Sequence, residues 1–156
     1  MTRLASLVML ISLSSCTSVP PSPLASAARA GDLDGIRHLF NAGASLDSPS
    51  GVNGWTPLHH AIHKNQAGSV KALLELGAEV NARSPNDVTP LMLAAGYGYE
   101  PIVLILLDHR ADPLLKDGHG ETAIDYARHG MTDIDRWTWP AGQSATVRIL
   151  QAASRR

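Results

Sequence analysis

The sequence predicts an all-α fold, a solenoid of about four stacked repeats, and three observations carry that prediction. A motif recurs at a fixed period. "WTPLHHAI" begins at Trp55 and "VTPLMLAA" at Val88, so Thr56 and Thr89 stand 33 residues apart, and another 33 leads to Thr122 in "ETAIDYAR". Companion residues keep register, with Ala61, Ala94 and Ala127 in one phase. Behind the motifs run apolar stripes at helical spacing, Val70, Leu73 and Leu74, then Val103, Leu106 and Leu107. Such self-similarity marks stacked arrays, in which no unit buries its apolar face alone and neighbours bury it together.

The chain opens "MTRLASLVMLISL", one basic residue followed by an apolar run. That run is too short to cross a bilayer as a helix, which takes about 20 residues. A charged start, a short apolar core and small residues after it describe a secretory leader. A buried first helix is the alternative, and the small residues and prolines that follow fit it less well. Leu13-Ser14-Ser15-Cys16 resembles the lipobox of bacterial lipoproteins, an aliphatic residue and two small ones before a cysteine. By that resemblance residues 1–15 are a cleaved signal peptide and Cys16 becomes the first mature residue, its thiol acylated. One acyl chain holds weakly, and two or three hold firmly. Thr17 stands where an Asp commonly retains such proteins at the inner membrane, which implies the outer membrane, facing the periplasm. Residues 16–21 are the lipidated cysteine and a linker. The prolines of "TSVPPSP" keep it extended at about 3 Å per residue, which holds the domain within roughly 20 Å of the bilayer.

The first repeat, residues 22–50, begins at Ser22 in "SPLASAARAGDLDGIRHLFNAGASLD" and matches through Pro23, Leu24, Ala27, Ile36, Leu39-Phe40 and Gly43-Ala44. Ala27 to Ala61 is 34 residues, so one residue is inserted, placed by the alignment in "SPSGVNG". In the second and third repeats, residues 51–83 and 84–116, Thr56 and Thr89 are expected to cap a helix. Pro57 and Pro90 then occupy the first helical position, where no amide donor is needed. Leu58 and Leu91 face the core, and the small Ala61 and Ala94 let helices approach closely. Gly43 and Gly77 are placed to end the second helices in the left-handed conformation. Arg110 takes that position in the third repeat, at a cost of about 1 kcal/mol. The fourth repeat, residues 117–152, departs most. After "TAIDYARHG" comes "MTDIDRWTWPAGQSATVRIL", and its second helix is expected near Ser144. Trp137 and Trp139 in the inserted stretch either cover the open end of the core or form a contact loop, a role that tryptophan favours. Residues 153–156 are a tail.

These landmarks, T-P-L-H-x-A-A followed by V, L-L and G-A, resemble the ankyrin repeat over residues 22 to about 152. The resemblance implies two antiparallel helices and a projecting β-turn per repeat, and non-catalytic recognition of a protein on a concave face. That face is built from the turns and from exposed positions on the first helices. Carried over by position, it comprises Asn53, Trp55, His63 and Lys64, then Asn86, Val88 and Tyr97, then His119, Glu121 and His129. Trp55 and Tyr97 are expected to contribute most, as large rigid aromatics. The histidines would make binding sensitive to pH near 6 to 7.

Other chemistries lack their residues. The formal charge is −1, and −2 once Arg3 leaves with the signal, with no basic block along the chain. A nucleic-acid footprint is therefore missing. Cys16 is the single cysteine, so no internal disulfide forms and stability must come from packing. "HHAIH" puts His59 and His63 on one helical face, but zinc takes a third and usually a fourth ligand, and the spacing places none. The resemblance instead has His59 bracing neighbouring turns. There is no G-x-S-x-G elbow, no H-E-x-x-H and no phosphate loop. Asp125 stands where His59 stands in its repeat, and "DGHGET" reads as a projecting turn with too few oxygens for calcium. No catalytic residue, cofactor, metal or small-molecule substrate is expected. The function expected is a membrane-anchored module that binds a protein of the bacterial envelope, as a scaffold or accessory factor. An immunity or inhibitor protein that neutralises a periplasmic toxin or effector is the alternative. An enzyme or metal-binding protein is the reading these absences disfavour.

Overall fold

A computed structural model describes residues 21–130 and 140–155, with side chains of the last helix described from residue 145. Eight helices stand among them: α1 (Pro23–Ala30), α2 (Leu33–Asn41), α3 (Pro57–His63), α4 (Ala67–Glu75), α5 (Pro90–Tyr97), α6 (Glu100–Asp108), α7 (Ala123–His129) and α8 (Pro140–Ala153). They pair as four hairpins. The first helices stack as one row, α1 on α3, α3 on α5 and α5 on α7, and the second helices stack behind them as another. The result is a two-layered all-α solenoid, as the periodicity predicts.

The inner helices start where the motif places them. Ser22 accepts the Ala25 amide at 3.2 Å, Thr56 the His59 amide at 3.5 Å and Thr89 the Met92 amide at 3.3 Å. A side-chain acceptor at this position satisfies one of the orphan amides of the first turn. In α7 the acceptor reverses, and Asp125 Oδ2 takes the Thr122 amide at 2.9 Å and the Thr122 hydroxyl at 2.7 Å. Between the rows lies a core of Leu24, Ile36, Leu58, Ile62, Leu73, Leu91, Ile102, Leu106 and Leu150, each at most 2% exposed. Ala61, Ala94 and Ala127 have no exposed surface, in keeping with close helix approach.

Three projecting turns precede α3, α5 and α7. They close through Ser50 N to Trp55 O (2.9 Å), Ser84 N to Val88 O (3.1 Å) and Asp117 N to Glu121 O (3.0 Å). The first is one residue longer than the others, and this is the residue that stretches the first period to 34. Adjacent turns touch, with the Gly118 amide on the Asn86 carbonyl at 3.1 Å. The second helices end as expected, Gly43 at φ 91°, Gly77 at φ 100° and Arg110 at φ 66°. The helix α8 differs from expectation, beginning at Pro140 rather than near Ser144. A proline suits a first turn, whose amides have no helical partner.

Candidate functional site

The site is assembled from the inner helices and the turns that lead into them. Trp55 closes the first turn through its carbonyl and enters α3 one residue before the cap. Residues four apart share a helical face, so the Trp55 ring runs along His59 and His63. Its centroid lies 6.4 Å from His59, stacked, 5.6 Å from His60, edge-on, and 5.3 Å from His63. His63 Nδ1 is hydrogen-bonded to the Tyr97 hydroxyl at 2.8 Å, with their rings 5.7 Å apart. Tyr97 in turn stacks on Tyr99 at 5.3 Å. An aromatic and imidazole ladder thus runs from the first turn across α3 to the end of α5.

The three histidines differ in what they can do. His59 has no exposed surface. Its Nε2 donates to the Val88 carbonyl at 3.1 Å, across to the next turn. In the neutral ring Nδ1 is then an acceptor, and the Thr56 hydroxyl lies 2.9 Å from it. With both nitrogens engaged, His59 braces the repeats. Burial lowers its pKa from 6.5 to about 4, against the opposing pull of the Val88 carbonyl. His60 Nε2 donates to the Ser50 carbonyl at 3.3 Å. Burial also lowers the pKa values of His60 and His63, and neighbouring cations push them the same way. His63 alone of the three is partly open on the ladder. Among the described residues, no group of three His, Cys, Asp or Glu side chains is arranged to hold a metal ion.

Of the residues carried over by repeat position, Asn53, Lys64, Asn86, His119 and His129 are exposed, and Trp55, His63, Val88 and Glu121 are partly so. Tyr97 departs from expectation. It is only 9% exposed, because its ring lies against Tyr99 and its hydroxyl turns to His63. It supports the ladder rather than standing out from it. Val88 contributes its carbonyl to His59. His129 and Glu121 face each other at 3.6 Å, an ion pair when the imidazole is protonated. Trp137, Trp139 and Cys16 lie outside the described residues.

"DGHGET" is a braced turn. Asp117 Oδ1 accepts the His119 amide at 2.9 Å and the Glu121 amide at 2.8 Å, and Oδ2 accepts the Tyr126 hydroxyl at 2.8 Å. Burial raises the Asp117 pKa, but these donors outweigh it and hold the carboxyl below its ordinary value. Tyr126 is pushed up, first by burial and then by that carboxylate.

Two residues escaped the positional reading. Tyr99 lies beyond the helix end, and nothing in the period marks its stacking on Tyr97. Arg29 was legible, since it follows its cap Ser22 by the same interval at which His63 follows Thr56.

A family profile described as ankyrin repeats in three copies matches residues 6–84, and one described as ankyrin repeats in many copies matches residues 73–127. The first match starts inside the stretch read as a leader. The chain is 39% identical over 115 residues to palmitoyltransferase akr1 of Neurospora crassa, which is 73% of this chain and 16% of that protein. It is 34% identical over 102 residues to the B-cell lymphoma 3 protein homolog of Mus musculus, 65% of this chain and 23% of that protein. It is 32% identical over 105 residues to an ankyrin repeat-containing protein of Treponema pallidum, 67% of this chain and 35% of that protein. The matched stretch is thus a minor part of each relative.

Proposed function

The chain belongs to the ankyrin-repeat family, and from that premise we propose that it is a non-catalytic module, tethered to a bacterial envelope membrane by acyl chains on Cys16, that binds a protein through its concave face. Ankyrin repeats act in protein–protein interaction, and the observation that supports the site is the ladder of Trp55, His63 and Tyr97. Large rings held in place by their neighbours lose little freedom when a partner covers them. The turns add exposed amide and imidazole groups at Asn53, Asn86 and His119, the polar rim that such an interface carries. The outer membrane, facing the periplasm, is the location that Thr17 favours. Among the described residues no helix is long and apolar enough to cross a membrane. Scaffold and immunity roles share this surface and differ in the partner.

The test is expression of the full chain in a Gram-negative host with labelled fatty acid, followed by crosslinking and mass spectrometry of the envelope. The expected outcome is label on Cys16, absent from Cys16→Ser, and one dominant crosslinked protein whose capture falls about 30-fold in Trp55→Ala, the scale of a hot spot. An immunity protein would capture an enzyme or toxin and abolish its activity, and a scaffold would leave its partner active. Capture unchanged by Trp55→Ala would move the site to the Trp137 and Trp139 stretch. No label on Cys16 would overturn the lipid anchor.

A further inference from the structure

We propose that the first two repeats form a subsite for an acidic segment of a protein partner, a carboxylate side chain with an aromatic or apolar neighbour. This rests on the concave-face reading above. Arg29 stands in the last turn of α1, His63 ends α3 and Lys64 caps it, and α1 packs against α3. Arg29 and His63 hold the same repeat position on successive inner helices, so they are side by side.

After burial, the charges that lower the His63 pKa are those of Lys64, Arg29 and His60, and Arg29 acts on His60 too. Neither Arg29 nor Lys64 enters an ion pair among the described residues. Four other cations do so, Arg37 with Asp34, Lys71 with Glu75, Arg83 with Asp87 and Arg128 with Asp125. Both cations act on the half-buried His63 imidazole. An anion placed beside His63 meets that cationic surrounding and gains charge-assisted hydrogen bonds. The walls of the place are aromatic, with the Trp55 ring 5.3 Å from His63 and the Tyr97 hydroxyl 2.8 Å from its Nδ1. A lone inorganic anion would leave that ring surface uncovered, whereas a side chain carrying both a carboxylate and an apolar neighbour would cover it. A nucleic acid would need a longer cationic track than Arg29 and Lys64 supply on a chain of net charge −1.

The test uses two pools of short synthetic peptides matched in length and aromatic content, one containing Asp and Glu and the other Lys and Arg. Each is passed over the immobilised full chain, and retained peptides are titrated against the wild type, Trp55→Ala and the double variant Arg29→Glu, Lys64→Glu. Arg29→Gln, Lys64→Gln serves as the milder change, and a helical melt verifies that each variant folds. The expected result is retention from the acidic pool, weakened by added salt, with affinity reduced about tenfold or more by charge reversal and less by the glutamine pair. Retained peptides that depend on Trp55 but are neutral or basic, or that ignore charge reversal, overturn the acidic subsite and leave the concave-face reading standing. Retention indifferent to both Trp55→Ala and charge reversal overturns the two together.

Discussion

His59 carries the histidine of the second-repeat motif, and its imidazole uses both nitrogens inside the domain, one toward Thr56 and one toward Val88. That arrangement makes stability depend on pH with a definite sign. The unfolded residue titrates at 6.5 and the folded one near 4. Above pH 6.5 neither form binds the proton and the contribution is complete. Between 6.5 and 4 the unfolded chain alone takes it up, so stability falls as pH falls, by up to about 1.4 kcal/mol per pH unit and about 3 kcal/mol in all. His60 and His63 add to the loss with the same sign, since burial lowers both. Asp117 and Asp125, held low, add theirs below the carboxylate value of 3.8. Urea titrations across this range are expected to show a shallower slope in His59→Gln, and an unchanged slope would refute the assignment. At this scale the motif made the bracing role of His59 legible, but not the hiding of Tyr97. A tyrosine near the end of an inner helix reads as exposed until Tyr99 is seen beneath its ring and His63 at its hydroxyl.

The elements follow the period closely, because each begins and ends with local chemistry. Caps at Ser22, Thr56 and Thr89 start the inner helices, and left-handed residues end the outer ones. Arg110 is the exception in residue type but not in conformation, since it adopts φ 66° where Gly43 and Gly77 stand in earlier repeats. A side chain strains that conformation, and the hairpin keeps it because the Arg110 amide still closes on the Leu107 carbonyl at 3.0 Å. Arg110→Gly is therefore expected to raise stability by about 0.5–1 kcal/mol, after the added backbone entropy of glycine is offset. A chemical-denaturation midpoint equal to or below that of the wild type would show that the Arg side chain contributes contacts of its own. The boundary of α8 was less legible, because the stretch before it follows no period and Pro140 can begin a helix as readily as Ser144.

The whole molecule is a short array whose core is continuous across four hairpins, and a short continuous core is expected to melt as one unit. Leu91, in α5 at the middle of the stack, is 1% exposed. Leu91→Ala should cost about 2–5 kcal/mol, a large share of the 5–15 kcal/mol typical of a domain. Circular dichroism should then show one transition at lower denaturant. Two resolved transitions would mean that the halves on either side of α5 fold separately. At this scale the sequence by itself determined the repeat number, the starts of the inner helices and the longer first turn. Those follow from periodicity and caps, which act within one repeat and are written in adjacent residues. The tertiary structure decided what the period leaves open between repeats, that the Tyr97 hydroxyl turns to His63 and that Tyr97 therefore supports the ladder rather than projecting from it. Such contacts join residues about one repeat apart, and only the stacking of neighbouring helices sets their distance and their exposure to water.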